Sequence, residues 1–289
     1  MKTLLSIVLM AIFTISTVTA QDEVLLYPQG PAENSGITVD ESMQRSDFVV
    51  NITEPRMYVY MAKDIKKSAP AVLICPGGGY SGVSVIKEGE EIARWFNERG
   101  IHAFVLYYRM PNGKHIIPLK DAQTAMDIMH QRAKEWKINR RQIGIMGFSA
   151  GGHLAATVGT HFVKKTHRPA FMILGYPVIT MDSTLTHAGS CRNLIGSRPD
   201  DALVKLYSTE LQVTKRTPPT FIVHAEDDRA VPIQQSYNFR DALLKNKVKV
   251  ELHVFPKGGH GFGMRKTNPE LDTWPSLLND WLLKRKLIR

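Results

Sequence analysis

From residue 71 to the end, short apolar runs alternate with stretches of helical periodicity, and this alternation limits the fold more than any other feature of the 289-residue chain. Residues 71–75, bounded by Pro70 and Pro76, form a continuous apolar run suited to a strand buried on both faces. A helical stretch follows at 88–99, with Ile92, Trp95 and Phe96 on its apolar side and Gly100 placed to end it. Then come a strand at 101–107, an amphipathic helix at 119–136, a strand at 142–146 and a small-residue helix at 152–160. The second half repeats the rhythm, with strands at 171–175, 220–224 and 248–255 and helices at 234–244 and 274–287. Such spacing predicts the α/β class, a mostly parallel sheet with helices on both faces.

Two segments break the rhythm. Ahead of it, 48–52 and 57–61 are β-type runs a few residues apart, which predicts an antiparallel hairpin behind an extended, turn-rich lead-in at 21–46. Later, 177–219 is too long for a simple crossover and only 201–207 is clearly helical, so the excess reads as a lid-like or substrate-binding insertion, with a structural excursion as the alternative. No repeat or linker divides the chain, and 21–289 is expected to form one domain.

The first twenty residues differ in kind. Lys2, an apolar run at 4–13 and Val18-Thr19-Ala20 spell a cleavable secretory signal, too short to serve as a membrane anchor. No cysteine follows Ala20 to take a lipid, and no later stretch is long enough to span a bilayer. The mature chain is therefore expected to be secreted or periplasmic, without stable membrane insertion. Net charge is +10, falling to +9 when Lys2 leaves with the signal, but the basic residues are scattered and not interleaved with aromatics. That excludes a nucleic-acid partner in favour of a solvated basic surface. Cys75 and Cys191 are too few for a disulfide framework and lack zinc spacing, so free thiols or at most one bridge are expected, with no metal and no cofactor.

Chemistry concentrates at Gly147-Phe148-Ser149-Ala150-Gly151, between the strand at 142–146 and the helix at 152–160. A strand that delivers a serine between glycines and then enters a helix is the layout of a nucleophile elbow. A serine among small residues is more often a cap or a packing position, so the assignment depends on partners. A base is available in Gly258-Gly259-His260-Gly261, just after the strand at 248–255, and an acid in Glu226-Asp227-Asp228, just after the strand at 220–224. Serine, acid and histidine then follow in the order of an α/β-hydrolase triad. For a developing oxyanion, Pro76-Gly77-Gly78-Gly79-Tyr80 offers the Gly78 amide and the elbow offers the amide of Ala150. The glycine loop lacks a following Gly-Lys-Ser/Thr and the G-x-G-x-x-G spacing, which argues against a nucleotide site.

The other histidines read as structural. His153 is expected to be a hydrogen-bonded packing residue on the buried helix; His102, His115, His130, His161, His167, His187 and His253 are scattered without ligand spacing. Arg109 and Asp121 are expected to form a structural charge pair, and Glu226 and Asp227 to be solvated neighbours of the acid.

PGGGY at Pro76, YRMPNG from Tyr108, GFSAGGH at Gly147, HAEDDRAVP at His224 and GGHGFG at Gly258 together resemble the α/β-hydrolase superfamily, and within it the secreted bacterial esterases of the acetylxylan-esterase and feruloyl-esterase type. The resemblance runs from about residue 57 to 263. It implies the α/β-hydrolase fold, a Ser149, Asp228 and His260 triad, and acylated plant polysaccharide such as xylan as substrate. It selects Asp228 because in that pattern the acid stands two residues before Val-Pro, here Val231-Pro232. Pro76 departs from the histidine that many lipase-like relatives carry before their glycines, which bears on subfamily. Feruloyl esters, general carboxylic esters and, more distantly, the peptide bonds of prolyl-oligopeptidase-like enzymes are the alternatives. A non-catalytic carbohydrate-binding protein on the same fold is the reading from a different class.

Overall fold

The computed structural model describes residues 22–31 and 33–288. The expected secretory signal, 1–20, lies outside the described residues. In chain order the first half runs β1 (Glu23–Leu25), β2 (Ser42–Gln44), β3 (Phe48–Val50), β4 (Arg56–Tyr60), β5 (Ala69–Cys75), β6 (Gly82–Ser84), α1 (Glu91–Asn97), β7 (His102–Tyr107) and α2 (Ile116–Gln131). It continues through β8 (Ile138–Phe148), α3 (Ser149–Thr160), β9 (Met172–Gly175), α4 (Ala188–Ile195), α5 (Asp201–Tyr207), β10 (Thr220–Ala225), α6 (Gln234–Lys245), β11 (Val250–Phe255) and α7 (Trp274–Lys284).

Eight strands form one sheet in the order β1-β4-β7-β5-β8-β9-β10-β11. β1, β4 and β7 pair antiparallel, and from β7 to β11 every pairing is parallel. The parallel strands are apolar on both sides because both faces are covered. On one face Ala122 and Met126 of α2, Leu154 of α3 and Phe239 of α6 pack against Leu73 and Ile145; on the other, Ile92 and Phe96 of α1 and Trp274 and Leu278 of α7 pack against Ile74 and Met146. Each fully buried side chain of this size contributes about 1.5–3 kcal/mol. The alternating α/β organisation and the helices on both faces thus follow the apolar pattern of the chain.

The expected hairpin is not formed. β3 and β4 belong to different sheets: β4 pairs with β7, setting Tyr58 opposite Val105, whereas β3 pairs with β2 and β6, setting Val49 opposite Val83. Asn51 at φ 58° turns the chain out of line after β3, so the two apolar runs cannot share a ladder. The small sheet this creates carries the glycine loop, since β6 follows Gly77-Gly78-Gly79 after only Tyr80 and Ser81. A second departure lies before α1, where residues Ile86–Glu90 make a π-type turn instead of the first turn of the expected helix, and Glu88 points inward.

The 177–219 insertion holds α4 as well as the expected α5. His187 caps α4 through its ring, which accepts the Ser190 N–H at 3.1 Å. Without Ser, Thr, Asp or Asn at the cap, the helix start carries no ordinary sequence signal. Cys75 is buried and Cys191 half-buried, and both are free thiols.

Candidate active site

The carboxyl ends of β5, β8, β10 and β11 meet at one cleft of about 410 Å³, whose walls include Gly78, Lys87, Glu88, Ser149, His187 and His260. A larger cavity of about 770 Å³, beside Lys66 and Arg99, lies at the amino end of β5, away from these groups.

Ser149 sits where β8 becomes α3. Phe148 is extended (φ −122°, ψ 137°) and Ser149 is forced to φ 53°, a strained value for a residue with a Cβ. Its neighbours must be glycine: a Cβ on Gly147 would lie 2.1 Å from the Gly151 carbonyl oxygen, and one on Gly151 would lie 2.1 Å from that of Cys75. α3 can therefore approach β5 and β8 closely enough to hold the serine at the cleft floor. The Val178 N–H, first in the insertion, bonds the Ser149 carbonyl at 3.1 Å.

His260 comes from the loop after β11, and its Nε2 lies 2.8 Å from Ser149 Oγ. Its Nδ1 lies 2.6 Å from Asp228 Oδ2. Asp228 is itself held: Oδ1 accepts the Ala230 and Val231 N–H groups, each at 2.9 Å, while Oδ2 also faces His224 Nε2 at 3.2 Å. Burial alone would raise the Asp228 carboxyl, but the bonds from His224, His260 and the Val231 amide outweigh it and hold this group well below the usual carboxylate range. An ionised Asp228 accepts the His260 Nδ1 proton, leaving Nε2 free to receive one from Ser149.

Opposite the serine runs the glycine loop. Gly78 is at φ 150°, and a Cβ there would lie 2.1 Å from the Gly82 carbonyl oxygen. The Gly77 amide is committed to Glu88 Oε2 at 2.7 Å, and Gly78 and Gly79, which follow it, line the cleft. Ala150, at the first turn of α3, supplies an amide of the kind that helix starts leave unpaired.

The sequence profile of the BD-FAE family matches residues 57–243, a span from β4 into α6 that includes the glycine loop, the elbow and Asp228. The chain belongs to the BD-FAE family. It is 39% identical over 219 residues to an acetylxylan esterase from Xylanibacter ruminicola, covering 74% of this chain and 45% of that protein. It is 38% identical over 221 residues to endo-1,4-beta-xylanase B from Butyrivibrio fibrisolvens, covering 72% and 34% respectively. This chain thus spans less than half the length of either curated relative. Among solved structures it is similar to an acetyl ester-xyloside bifunctional hydrolase from Caldicellulosiruptor lactoaceticus, with a TM-score of 0.81, 34% identity, and coverage of 95% of this chain and 100% of that one. It is also similar to the carboxylesterase Cest-2923 from Lactobacillus plantarum WCFS1, at a TM-score of 0.71 and 25% identity, covering 87% and 98%. The fold is that of the α/β-hydrolase esterases.

In this BD-FAE-family chain several residues enter the site that sequence reasoning passed over. His224, inside β10, must carry its proton on Nε2, because that nitrogen also faces the Val231 carbonyl at 2.9 Å, while Nδ1 meets Ser236 Oγ at 2.8 Å. Asp227 is exposed, as expected, but is more than a solvated neighbour: its Oδ1 accepts the Gly258 and Gly259 N–H groups at 2.9 and 2.7 Å and so pins the His260 loop. The Gly259 amide, above all, lowers its carboxyl. His187, expected to be structural, forms part of the cleft wall; with Nδ1 accepting from Ser190, its proton lies on Nε2. Glu88 and Tyr176 are the remaining two.

His153 is the packing residue its place on α3 implies: Tyr80 Oη donates to Nδ1 at 2.8 Å and Nε2 donates to the Tyr207 carbonyl at 2.8 Å. Burial pushes it down to about 4, so it stays neutral. Arg109 and Asp121 form the expected buried pair, joined through Arg109 N, Nε and Nη2. Among the described residues no cluster of three or more His, Cys, Asp or Glu side chains is arranged to hold a metal ion, and no helix is long and apolar enough to cross a membrane.

Proposed function

We propose that the chain is a serine esterase that removes acyl groups, acetyl foremost, from plant polysaccharide such as xylan. The observation that carries this reading is the continuous relay from Asp228 through His260 to Ser149, with spacings of 2.6 and 2.8 Å. In the first step Ser149 Oγ passes its proton to His260 Nε2 and bonds the ester carbonyl carbon, while the carbonyl π pair moves onto oxygen. The Gly78 and Ala150 amides hold that oxyanion. As the intermediate collapses, the sugar oxygen leaves with the proton from Nε2, giving acyl-Ser149. Water, deprotonated by the same nitrogen, then releases the carboxylic acid and restores the serine. Asp228 stays ionised throughout, fixing the tautomer and stabilising the imidazolium.

Support for a carbohydrate ester comes from the acetylxylan esterase and the acetyl ester-xyloside hydrolase among the similar proteins, and from a cleft that is open and polar at its rim, with Arg45, Asp47 and Ser81. Gly79 and His187 both line the cleft and face each other closely, a Cβ on the glycine lying 3.7 Å from the imidazole, which favours a small acyl group over a bulky one. On this reading the 177–219 insertion is the wall of the acyl site within a single catalytic unit, 21–289, and residues 1–20 direct export to the periplasm or medium. A mature protein that retained residues 1–20 in a secreting host would remove the last point. The reaction is tested by acetate release from acetylated xylan, compared with acetylated mannan, pectin, feruloylated arabinoxylan and simple aryl esters. Preferential acetate release from xylan is expected; turnover of aryl esters alone would make the chain a general carboxylesterase.

A further inference from the structure

Glu88 is a second buried carboxylate in the cleft, 4% exposed, and the relay above does not use it. Its two oxygens are divided between two loops. Oε2 accepts the Gly77 N–H at 2.7 Å, at the root of the glycine loop. Oε1 accepts Tyr176 Oη at 2.8 Å, and that hydroxyl in turn accepts the Gly263 N–H at 3.0 Å, at the far end of the loop that carries His260. The Tyr176 ring also stands edge-on to the His260 imidazole, with centroids 4.9 Å apart, and is fixed by its own strained φ of 36° directly after β9. The Gly263 carbonyl is tied down by Trp274 Nε1 at 3.0 Å.

A carboxylate kept in such a place has to be worth its desolvation, because burial is unfavourable for the charged form and is the main influence on this group. An apolar residue would fill the space more cheaply. What a carboxylate does here is accept two donors from two separate loops while standing close enough to His260 to act on it electrostatically.

Resting on the esterase reading, we propose that Glu88 is a positioning residue: it sets the oxyanion donors and the His260 imidazole in register and stabilises the imidazolium formed when Ser149 loses its proton. The titratable and charged groups facing the imidazole are Asp228 from the loop after β10, Glu88 and Lys87 from the turn before α1, Tyr176 after β9 and His187 at the head of α4. Tyr108 faces Glu88 from the end of β7. Arg45 and Asp47, between β2 and β3, line the same cleft. Lys87 is half-buried and forms no ion pair among the described residues; burial raises the Glu88 carboxyl, and the Tyr176 hydroxyl, Lys87 and the Gly77 amide oppose that rise.

The test compares Glu88→Gln, Glu88→Asp and Tyr176→Phe in hydrolysis of a small acetyl ester. Glutamine keeps the shape but turns an NH₂ toward one of the two donors. We expect Glu88→Gln to lower kcat by about 10²-fold with KM nearly unchanged, the scale of a misplaced reacting group. With one anion removed, the acid limb of its kcat/KM profile should move to lower pH by about one unit. Glu88→Asp keeps the charge and loses the reach, so kcat should fall while the acid limb stays at its wild-type pH. A Glu88→Gln enzyme with wild-type kcat, or one with reduced kcat and an unmoved acid limb, would overturn the proposal. Should Glu88→Gln fail to fold, Tyr176→Phe carries the test, since it cuts only the link to the His260 loop: reduced kcat at unchanged KM supports the proposal, and wild-type kcat overturns it. Hydrolysis that persists in Ser149→Ala would instead remove the esterase mechanism itself, so the two failures are distinct.

Discussion

Asp121 and Asp228 look alike by burial and differ in what faces them. Both carboxylates have side chains with no exposed surface, and both accept main-chain N–H groups. Asp121 meets Arg109, a permanent cation that is itself buried, and the pair is closed by bonds from the main chain and the guanidinium. Asp228 meets two imidazoles, one sealed in the core and one a quarter exposed at the cleft. A buried carboxylate whose charge is cancelled at all times holds a structure together. One whose partner becomes a cation only when a neighbouring hydroxyl gives up its proton is placed to assist a reaction.

The comparison breaks most sharply if the acids are neutralised one at a time. In Asp228→Asn the amide oxygen can still take the Ala230 and Val231 bonds, which turns its NH₂ toward His224 and His260. His260 must then accept at Nδ1 and carry its proton on Nε2, where it cannot receive one from Ser149. A loss of about 10⁴-fold in kcat is expected in a folded protein, measured by steady-state hydrolysis beside a thermal melt. Asp121→Asn should do the reverse. Removing one partner of a buried ion pair costs about 3–5 kcal/mol of stability, read from urea unfolding, while kcat per folded molecule stays at the wild-type value. If Asp121→Asn impaired kcat without loss of stability, the division between the two acids would be wrong.

His153 sharpens the same contrast from the side of the bases, because it is a buried histidine near the elbow with no part in the relay. Burial holds its folded value at about 4, against 6.5 in the unfolded chain. Between those limits the unfolded chain binds more protons, so the stability this neutral imidazole contributes is complete above about pH 6.5 and is lost as the pH falls toward 4. The shift corresponds to about 3 kcal/mol. His153→Gln should flatten the dependence of unfolding free energy on pH across that window, and an unchanged slope would show that another group dominates it.

What was legible in the sequence follows the same division. The sheet, its two covered faces, and the loops that carry Ser149, His260 and the acids Glu226 to Asp228 are readable because each depends on local pattern: apolar runs, glycines that permit a tight turn, and loops that immediately follow strands. Among the three acids, only the family resemblance selects Asp228. The β3 and β4 hairpin was misread because pairing depends on Asn51, whose left-handed backbone sends β3 to Gly82–Ser84, far along the chain. Glu88 was read as part of a helix, and only the π-type turn carries it into the cleft. His187, His224 and Asp227 act through partners that neighbouring motifs bring together only in three dimensions, and no spacing announces them. α4 was missed because an imidazole caps it.

On the proposed mechanism Ser149 is the nucleophile and His260 its base. Treating the intact protein with a serine-directed fluorophosphonate and mapping the adduct by peptide mass spectrometry tests it directly. One label per chain is expected on the peptide containing Ser149, greatly slowed in His260→Ala and absent in Ser149→Ala, whose turnover should fall by about 10⁶-fold. Labelling at another residue, or a Ser149→Ala protein that still hydrolyses acetyl esters at the native rate, would contradict it.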